Sequence, residues 1–170
     1  MKVFIIAALS ADGFIAKNAE HAALWTSIDD KKHFVELTKR AGVVVIGSTT
    51  FKTMPRPLAD RLNIVYSRNA ESIRPADNVE VTQSTPEELI TSLEARGYSE
   101  VAICGGSQIY TAFMKSGLVT SLYITIEPIV FGQGIHLFND IIGGDSGQKI
   151  KLIKSRSTEA GTIFIEYAIN

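Results

Sequence analysis

Uninterrupted apolar runs and helical repeats alternate along this chain. Val3 to Leu9 is apolar throughout, and Val43 to Ile46 repeats the pattern. A short run without polar alternation reads as a strand covered on both faces, as in a parallel sheet. Leu62 to Tyr66, Val79 to Val81, Glu100 to Cys104 and Ser121 to Ile126 continue the series. Helices fall between them. Ser27 to Ala41 has a serine in the N-cap position and Gly42 just past its last turn, which are start and stop signals. Thr85-Pro86-Glu87-Glu88 opens another, with proline first and acids in the first turn, and Gly97 ends it. Shorter helical pieces are predicted over Thr50 to Met54, stopped by Pro55 and Pro57, and over Ser107 to Lys115. Residues 10 to 25 show no clean period and read as one long loop, a length that usually carries function. Lys149 to Thr158 and Thr162 to Ile169, joined by a turn at Glu159 to Gly161, read as a hairpin.

This order predicts an α/β fold: a single domain over residues 1–170. A mostly parallel central sheet of about eight strands is flanked by about four helices and closed by a C-terminal antiparallel hairpin. Ligands of such sheets bind outside the carboxyl ends of the strands. The segments after Leu9, Ile46, Tyr66, Cys104 and Ile126 are therefore the ones to search.

Composition removes several function classes. The 170 residues are 45% hydrophobic and 21% charged, enough to build a core without staples. Lys and Arg number 17 against 18 Asp and Glu, for a net charge of -1. No basic excess exists to hold nucleic acid or an anionic membrane. The single cysteine, Cys104, rules out an internal disulfide, and His21, His33 and His136 are too scattered to suggest a metal. The apolar start is too short for a membrane span or a signal core. We expect a cytoplasmic monomer.

Asp30 stands out among the candidate chemical groups. Phe34, Leu37, Thr38 and Ala41 form the inward stripe of the first long helix, and Asp30 lies on it, four residues before Phe34. An inward carboxylate is costly unless paired. One reading makes Ser27-x-x-Asp30 a capping box, which the spacing favours. The other makes Asp30 a ligand-binding or proton-transferring acid with a raised pKa. Asp29 reads as a solvated first-turn acid. Gly105-Gly106-Ser107, between a strand and a helix, lets backbone approach an anion, and Gly47-Ser48-Thr49-Thr50 has the same form. Arg56, Arg61 and Arg68 are further anion-binding candidates. Trp25 reads equally as core plug or pocket wall, and His21 and His33 as surface residues.

Taken in order, these pieces resemble dihydrofolate reductase. The resemblance rests on Ile5 to Gly13, on Trp25 with Asp30 and Phe34, and on Val45 to Phe51. It continues through Arg56 to Val65, Cys104 to Tyr110 and Leu122 to Thr125, covering about residues 2 to 140 plus the hairpin. It implies that a bound NADPH (or NADH) reduces dihydrofolate to tetrahydrofolate, serving one-carbon metabolism. By that resemblance Asp30 is the catalytic carboxylate that grips the pterin, supported by Thr125. Phe34 walls the pterin and aminobenzoyl rings, and Arg61 pairs with the glutamate carboxylate. Ala8 and Cys104 touch pterin and nicotinamide, with Tyr110 beside them; Trp25 and Lys31 also reach substrate. Ile15, Gly47, Ser48, Thr49, Thr50, Ser67, Arg68, Gly105, Gly106, Ser107, Gln108 and Ile109 go to the cofactor. Gly105-Gly106 corresponds to the family's cis-linked pair, and Gly13 to Leu24 to its lid.

Ser48 and Gln108 replace basic residues common in the family, and Lys31 replaces an apolar one. The lid is about two residues longer than in compact members. Trp25-Thr26-Ser27 and Phe131 to Phe138 also resemble the riboflavin-pathway pyrimidine reductases, which share fold and cofactor. A non-catalytic nucleotide- or folate-binding module is the remaining alternative.

Overall fold

Parallel β-structure dominates the computed structural model, which describes residues 1–140 and 142–169. In chain order the elements are β1 (Lys2–Ser10), β2 (Phe14–Ala16), α1 (Ile28–Ala41), β3 (Val43–Gly47), α2 (Ser48–Lys52), β4 (Leu62–Tyr66) and β5 (Val79–Thr82). They continue with α3 (Pro86–Ala95), β6 (Glu100–Ile103), α4 (Ser107–Lys115), β7 (Ser121–Glu127), β8 (Ile135–His136), β9 (Ile150–Ser157) and β10 (Ile163–Ile169). Eight strands share one sheet in the order β5-β4-β3-β6-β1-β7-β10-β9. The six from β5 to β7 are parallel, and the β9–β10 hairpin joins β7 antiparallel. This is the fold class that the hydrophobic pattern predicts.

Alternate residues of the inner strands feed two apolar layers. Val3, Ile5, Val45, Ile64 and Ile103 pack with Leu93 of α3 and Phe113 of α4. Phe4, Ile6, Val44, Ile46 and Val65 pack with Leu37 of α1 and Phe51 of α2. Because the six strands run the same way, Ser10, Gly47, Tyr66 and Ile103 all end at one edge of the sheet. No helix among the described residues is long and apolar enough to cross a membrane.

Two expectations need correction. Residues 10 to 25 are not one loop: β2 pairs antiparallel with β8, and Ala23–Trp25 form a single 3-10 turn. A three-residue strand is too short to show a period, and its partner is remote in sequence. The short helix after β3 also starts earlier than expected, at Ser48, and ends at Lys52 rather than Met54. Pro55 disfavours helical backbone at the residue before it.

The loops after β1 and β7 are tied together by Asp12. Its carboxylate accepts the amides of Phe131 at 3.1 Å and Gly132 at 2.6 Å. The Ser10 hydroxyl, above all, and these amides hold Asp12 down at about 2.

Phe113 is fully buried and meets Tyr66 edge-on at 6.1 Å, joining α4 to the sheet. Phe113→Ala is expected to cost about 3–5 kcal/mol, seen as a lower denaturation midpoint at unchanged slope. A loss below about 1 kcal/mol would show that this ring does not anchor α4.

Candidate active site

A cavity of about 720 Å³ opens where β1, β3, β4 and β6 end, large enough for a drug-sized ligand. One wall carries Ala8, Ile15, Trp25, Asp30, Lys31 and Phe34. The other carries Gly47, Ser48, Thr49, Thr50, Cys104, Gly105, Gly106, Ser107, Gln108, Ile109 and Tyr110. These residues come from distant parts of the chain because the carboxyl ends of parallel strands converge.

Asp30 is buried on the first turn of α1. Half of the expected capping box is present: Ser27 Oγ accepts the Asp30 amide at 3.1 Å. The reciprocal half is not made by Asp30. Glu127, at the end of β7, takes that place, with its Oε1 accepting the Ser27 amide at 2.7 Å. Glu127 Oε2 accepts the Thr162 hydroxyl at 2.8 Å, so the buried acid is held from both sides. The Asp30 carboxylate is left for the cavity, with the hydroxyls of Thr125 and Thr26 near enough to favour its charged form. Burial outweighs those two hydroxyls and raises the Asp30 pKa, and the Glu127 charge adds to the rise. The capping reading of Asp30 is thus corrected: a second acid that the sequence pattern did not pair with Ser27 does the capping.

Thr125 stands beside Ala8 in the ladder between β7 and β1, which sets it under Asp30 rather than in the cavity wall. Trp25 resolves as wall: its ring meets Phe131 edge-on at 4.9 Å. Lys31 is exposed at the rim, its Nζ 3.4 Å from the Leu24 carbonyl. His21 and His33 are half-buried rather than surface residues. His21 lines the cavity and stacks by Trp25, whereas His33 sits edge-on against Phe164 at 5.0 Å.

The opposite wall is built on Gly105 and Gly106, joined by a cis peptide. Gly105 has φ +107°, and a Cβ there would lie 3.0 Å from the Tyr110 ring. A Cβ on Gly106 would lie 3.0 Å from the Thr50 hydroxyl. Side chains at either position would fill the turn. Tyr110 is buried with its hydroxyl donating to the Ile6 carbonyl at 2.8 Å, pinning α4 to β1. The first-turn amides of α4, at Ser107 and Gln108, point along the helix start without intrahelical acceptors. Burial pushes the Cys104 thiol pKa up, so it faces the cavity as a neutral group.

Arg61, Ser67 and Arg68 lie outside the cavity lining. Arg61 is buried, with Nε donating to the Ala59 carbonyl at 2.8 Å and Nη1 to the Thr38 hydroxyl at 2.6 Å. The Ser67 hydroxyl is used within its turn, donating to the Asn69 carbonyl at 2.8 Å. Arg68 is exposed. Residues that sequence reasoning missed as wall include Met54, Tyr66, His136 and Asn139. His136 is brought in by the pairing of β8 with β2, a contact with no local signal. Among the described residues, two buried side-chain polar atoms lack a hydrogen-bond partner: Trp25 Nε1 and Tyr66 Oη. Both belong to residues that also line this cavity.

Comparison with known proteins agrees with this geometry. The dihydrofolate reductase family model matches residues 2–134. The chain is 34% identical to dihydrofolate reductase type 3 of Salmonella typhimurium over 125 residues, covering 74% of this chain and 71% of that one. It is similar to the structure of Enterococcus faecalis dihydrofolate reductase complexed with NADP(H), with a TM-score of 0.76 and 26% identity over 99% of this chain and 96% of that one. A Thermotoga maritima diaminohydroxyphosphoribosylaminopyrimidine deaminase/5-amino-6-(5-phosphoribosylamino)uracil reductase matches with a TM-score of 0.79 at 16% identity, over 99% of this chain and 56% of that one. That second structural likeness speaks for the fold alone.

The raised pKa of Asp30 sets a sign for stability. Folding favours its protonated form, so its ionisation costs stability as pH rises above the ordinary carboxylate range. Asp30→Asn removes this slope. The stability of the variant relative to the parent is expected to grow from about pH 4 toward neutrality, measured by urea unfolding. A difference that shrinks over that range would show that the carboxylate is stabilised rather than penalised by its surroundings.

Proposed function

We propose, from the premise that the chain belongs to the dihydrofolate reductase family, that it reduces 7,8-dihydrofolate to 5,6,7,8-tetrahydrofolate with NADPH. The observation that carries this reading is the buried carboxylate of Asp30, freed from capping and turned into a cavity with hydroxyl donors behind it. A bound reduced nicotinamide supplies the hydride that goes to C6 of the pterin, while N5 takes a proton. Asp30 offers an acceptor to the N3 and 2-amino edge, and its charge favours the protonated ring. Thr125 and Thr26 orient that carboxylate. Phe34 and Trp25 supply flat apolar wall, and the segment from Gly13 to Leu24 limits access of water.

The cofactor fits the opposite wall. The glycine turn would admit a pyrophosphate, with the α4 amides and the Thr50 hydroxyl as its donors. Ser48 and Gln108 there are neutral, so NADH is a second candidate, with Arg68, two residues past the end of β4, as the cation for a 2′-phosphate. On this reading the protein works as a cytoplasmic monomer supplying one-carbon metabolism.

A second reading, reduction of a ribosylamino-pyrimidine phosphate, is favoured by one observation. Arg61, the arginine expected to hold the folate tail, already donates through two of its nitrogens to protein acceptors. The deciding experiment follows nicotinamide oxidation with dihydrofolate and with the ribosylamino-pyrimidine as substrates. Turnover of dihydrofolate supports the first reading, and turnover of the pyrimidine alone selects the second. Cofactor binding without any turnover would mean a non-catalytic module.

Two variants sharpen the assay. Asp30→Asn is expected to bind NADPH as the parent does while kcat at neutral pH falls by about 10²–10⁴-fold, with partial recovery at lower pH. An undiminished rate would remove Asp30 from the chemistry. Arg61→Leu is expected to raise the KM for dihydrofolate by about tenfold or more, leaving a tail-less dihydropterin unaffected. Equal losses on both substrates would assign Arg61 a structural task through Thr38 alone.

A further inference from the structure

Glu127 is a buried acid to which the chemistry above gives no part. It ends β7, and Pro128 after it disfavours helical backbone, so the chain at Glu127 stays extended. Alternation along the strand then puts its side chain on the face that carries Thr125. Both carboxylate oxygens have protein donors: the Ser27 amide reaches Oε1 at 2.7 Å, and the Thr162 hydroxyl reaches Oε2 at 2.8 Å. Thr162 is itself fixed in the hairpin turn. Its amide donates to the Thr158 hydroxyl at 3.2 Å, and its carbonyl accepts the Thr158 amide at 2.9 Å. Glu127 is 3% exposed and Thr162 1%, so the join is closed to water.

A helix start does not require this arrangement. At the start of α3 the same need is met locally: Glu88, in the exposed first turn, accepts the Thr85 amide at 2.9 Å and closes an ordinary capping box. The start of α1 has the same spacing of serine and acid, yet it uses a remote carboxylate whose burial is costly. What the costlier solution gains is position. Ser27 is tied to Glu127 by its amide and to the Asp30 amide by its hydroxyl, so one residue links the two acids. Thr125, two places before Glu127 on β7, is near enough to Asp30 to favour its charged form. Strand β7 therefore sets both where α1 begins and which hydroxyl lies under its carboxylate.

We propose that Glu127 is a positioning residue for the reduction: through Ser27 it fixes the first turn of α1, and with it the place of the Asp30 carboxylate, while its charge adds to the field at the bound ring. This rests on the folate reading of the cavity. Two carboxylates favour a cationic ring more than one does, so the ring keeps its proton to a higher pH than Asp30 alone would allow. In the empty site the same charge opposes ionisation of Asp30. The other groups around Asp30 do not supply this field. His33 on α1 is held toward its neutral form by burial and by Arg156, and burial keeps the Tyr110 phenol and the Cys104 thiol protonated. Lys31 is a cation exposed at the rim, and His21 lines the cavity from the lid.

Glu127→Gln separates charge from position, because its amide oxygen still accepts the Ser27 amide while the charge is gone. Steady-state kinetics of the full chain with dihydrofolate and NADPH would be followed from about pH 5 to about pH 9, beside Glu127→Ala. Glu127→Gln is expected to keep kcat at the acid end within about twofold and to lose about three- to tenfold above neutrality, because its rate begins to fall at lower pH. Glu127→Ala, which removes the join, is expected to lose about tenfold or more in kcat at every pH with NADPH affinity unchanged. A parent-like pH profile for Glu127→Gln overturns the inference, as does a parent-like kcat for Glu127→Ala. A loss in Glu127→Gln that is the same at every pH also overturns it, leaving the acid a structural task only. Carbon-13 titration of the aspartate carboxyls without ligand gives a second readout, which stands even where Glu127→Ala fails to fold. The Asp30 midpoint should move to lower pH in Glu127→Gln, and an unmoved midpoint contradicts the inference. A parent that leaves dihydrofolate unreduced overturns the folate reading alone, since the carboxyl titration still decides whether Glu127 acts on Asp30.

Discussion

Asp30 faces a cavity because another acid does the work its position would otherwise demand. The N-terminus of α1 needs acceptors for its first amides, and Ser27 followed by an acid three residues on is the usual local answer. Here the Ser27 amide reaches across to Glu127 on β7, which the Thr162 hydroxyl steadies from the hairpin side. The exchange binds helix, parallel sheet and C-terminal hairpin at a single buried carboxylate. It also leaves a second buried carboxylate that feels the Glu127 charge and is favoured in its ionised form by the nearby hydroxyls of Thr125 and Thr26. A buried acid so supported is poised for a ligand that brings its own donors.

The rest of the site follows from strand direction. Six parallel strands end at one edge, so loops that are far apart in sequence become the walls of one cleft. The glycine turn after β6 keeps that cleft open, since Gly105 and Gly106 occupy places where any side chain would meet Tyr110 or Thr50. Asp12 ties the loop after β1 to the loop after β7, steadying the region where the lid begins. The segment between is held at its root and carries Trp25 and His21 into the wall.

Much of this was legible in the residues themselves. The apolar runs located the six parallel strands, and the stripe through Phe34, Leu37 and Thr38 singled out Asp30 as an inward acid. Gly105-Gly106 marked the opposite wall. What escaped notice shares one cause, contact between segments remote in sequence. Glu127 lies at the end of a strand whose local pattern says nothing of Ser27, and β2 is too short to announce its pairing with β8. His136 and Tyr66 become wall residues only once the strands are ordered. Arg61 carries a structural contact that its motif did not announce, donating to the Ala59 carbonyl and the Thr38 hydroxyl.

The most direct measurement is a carbon-13 NMR titration of the aspartate side-chain carboxyls in the ligand-free protein. Asp30 should titrate above the ordinary carboxylate range and Asp12 below it, near 2. Added dihydrofolate, with the oxidised cofactor present so that no turnover occurs, should then move the Asp30 resonance and leave that of Asp12 in place. An Asp30 carboxyl that titrates like a solvated acid and ignores the pterin would contradict a buried acid waiting at the floor of a reductase site.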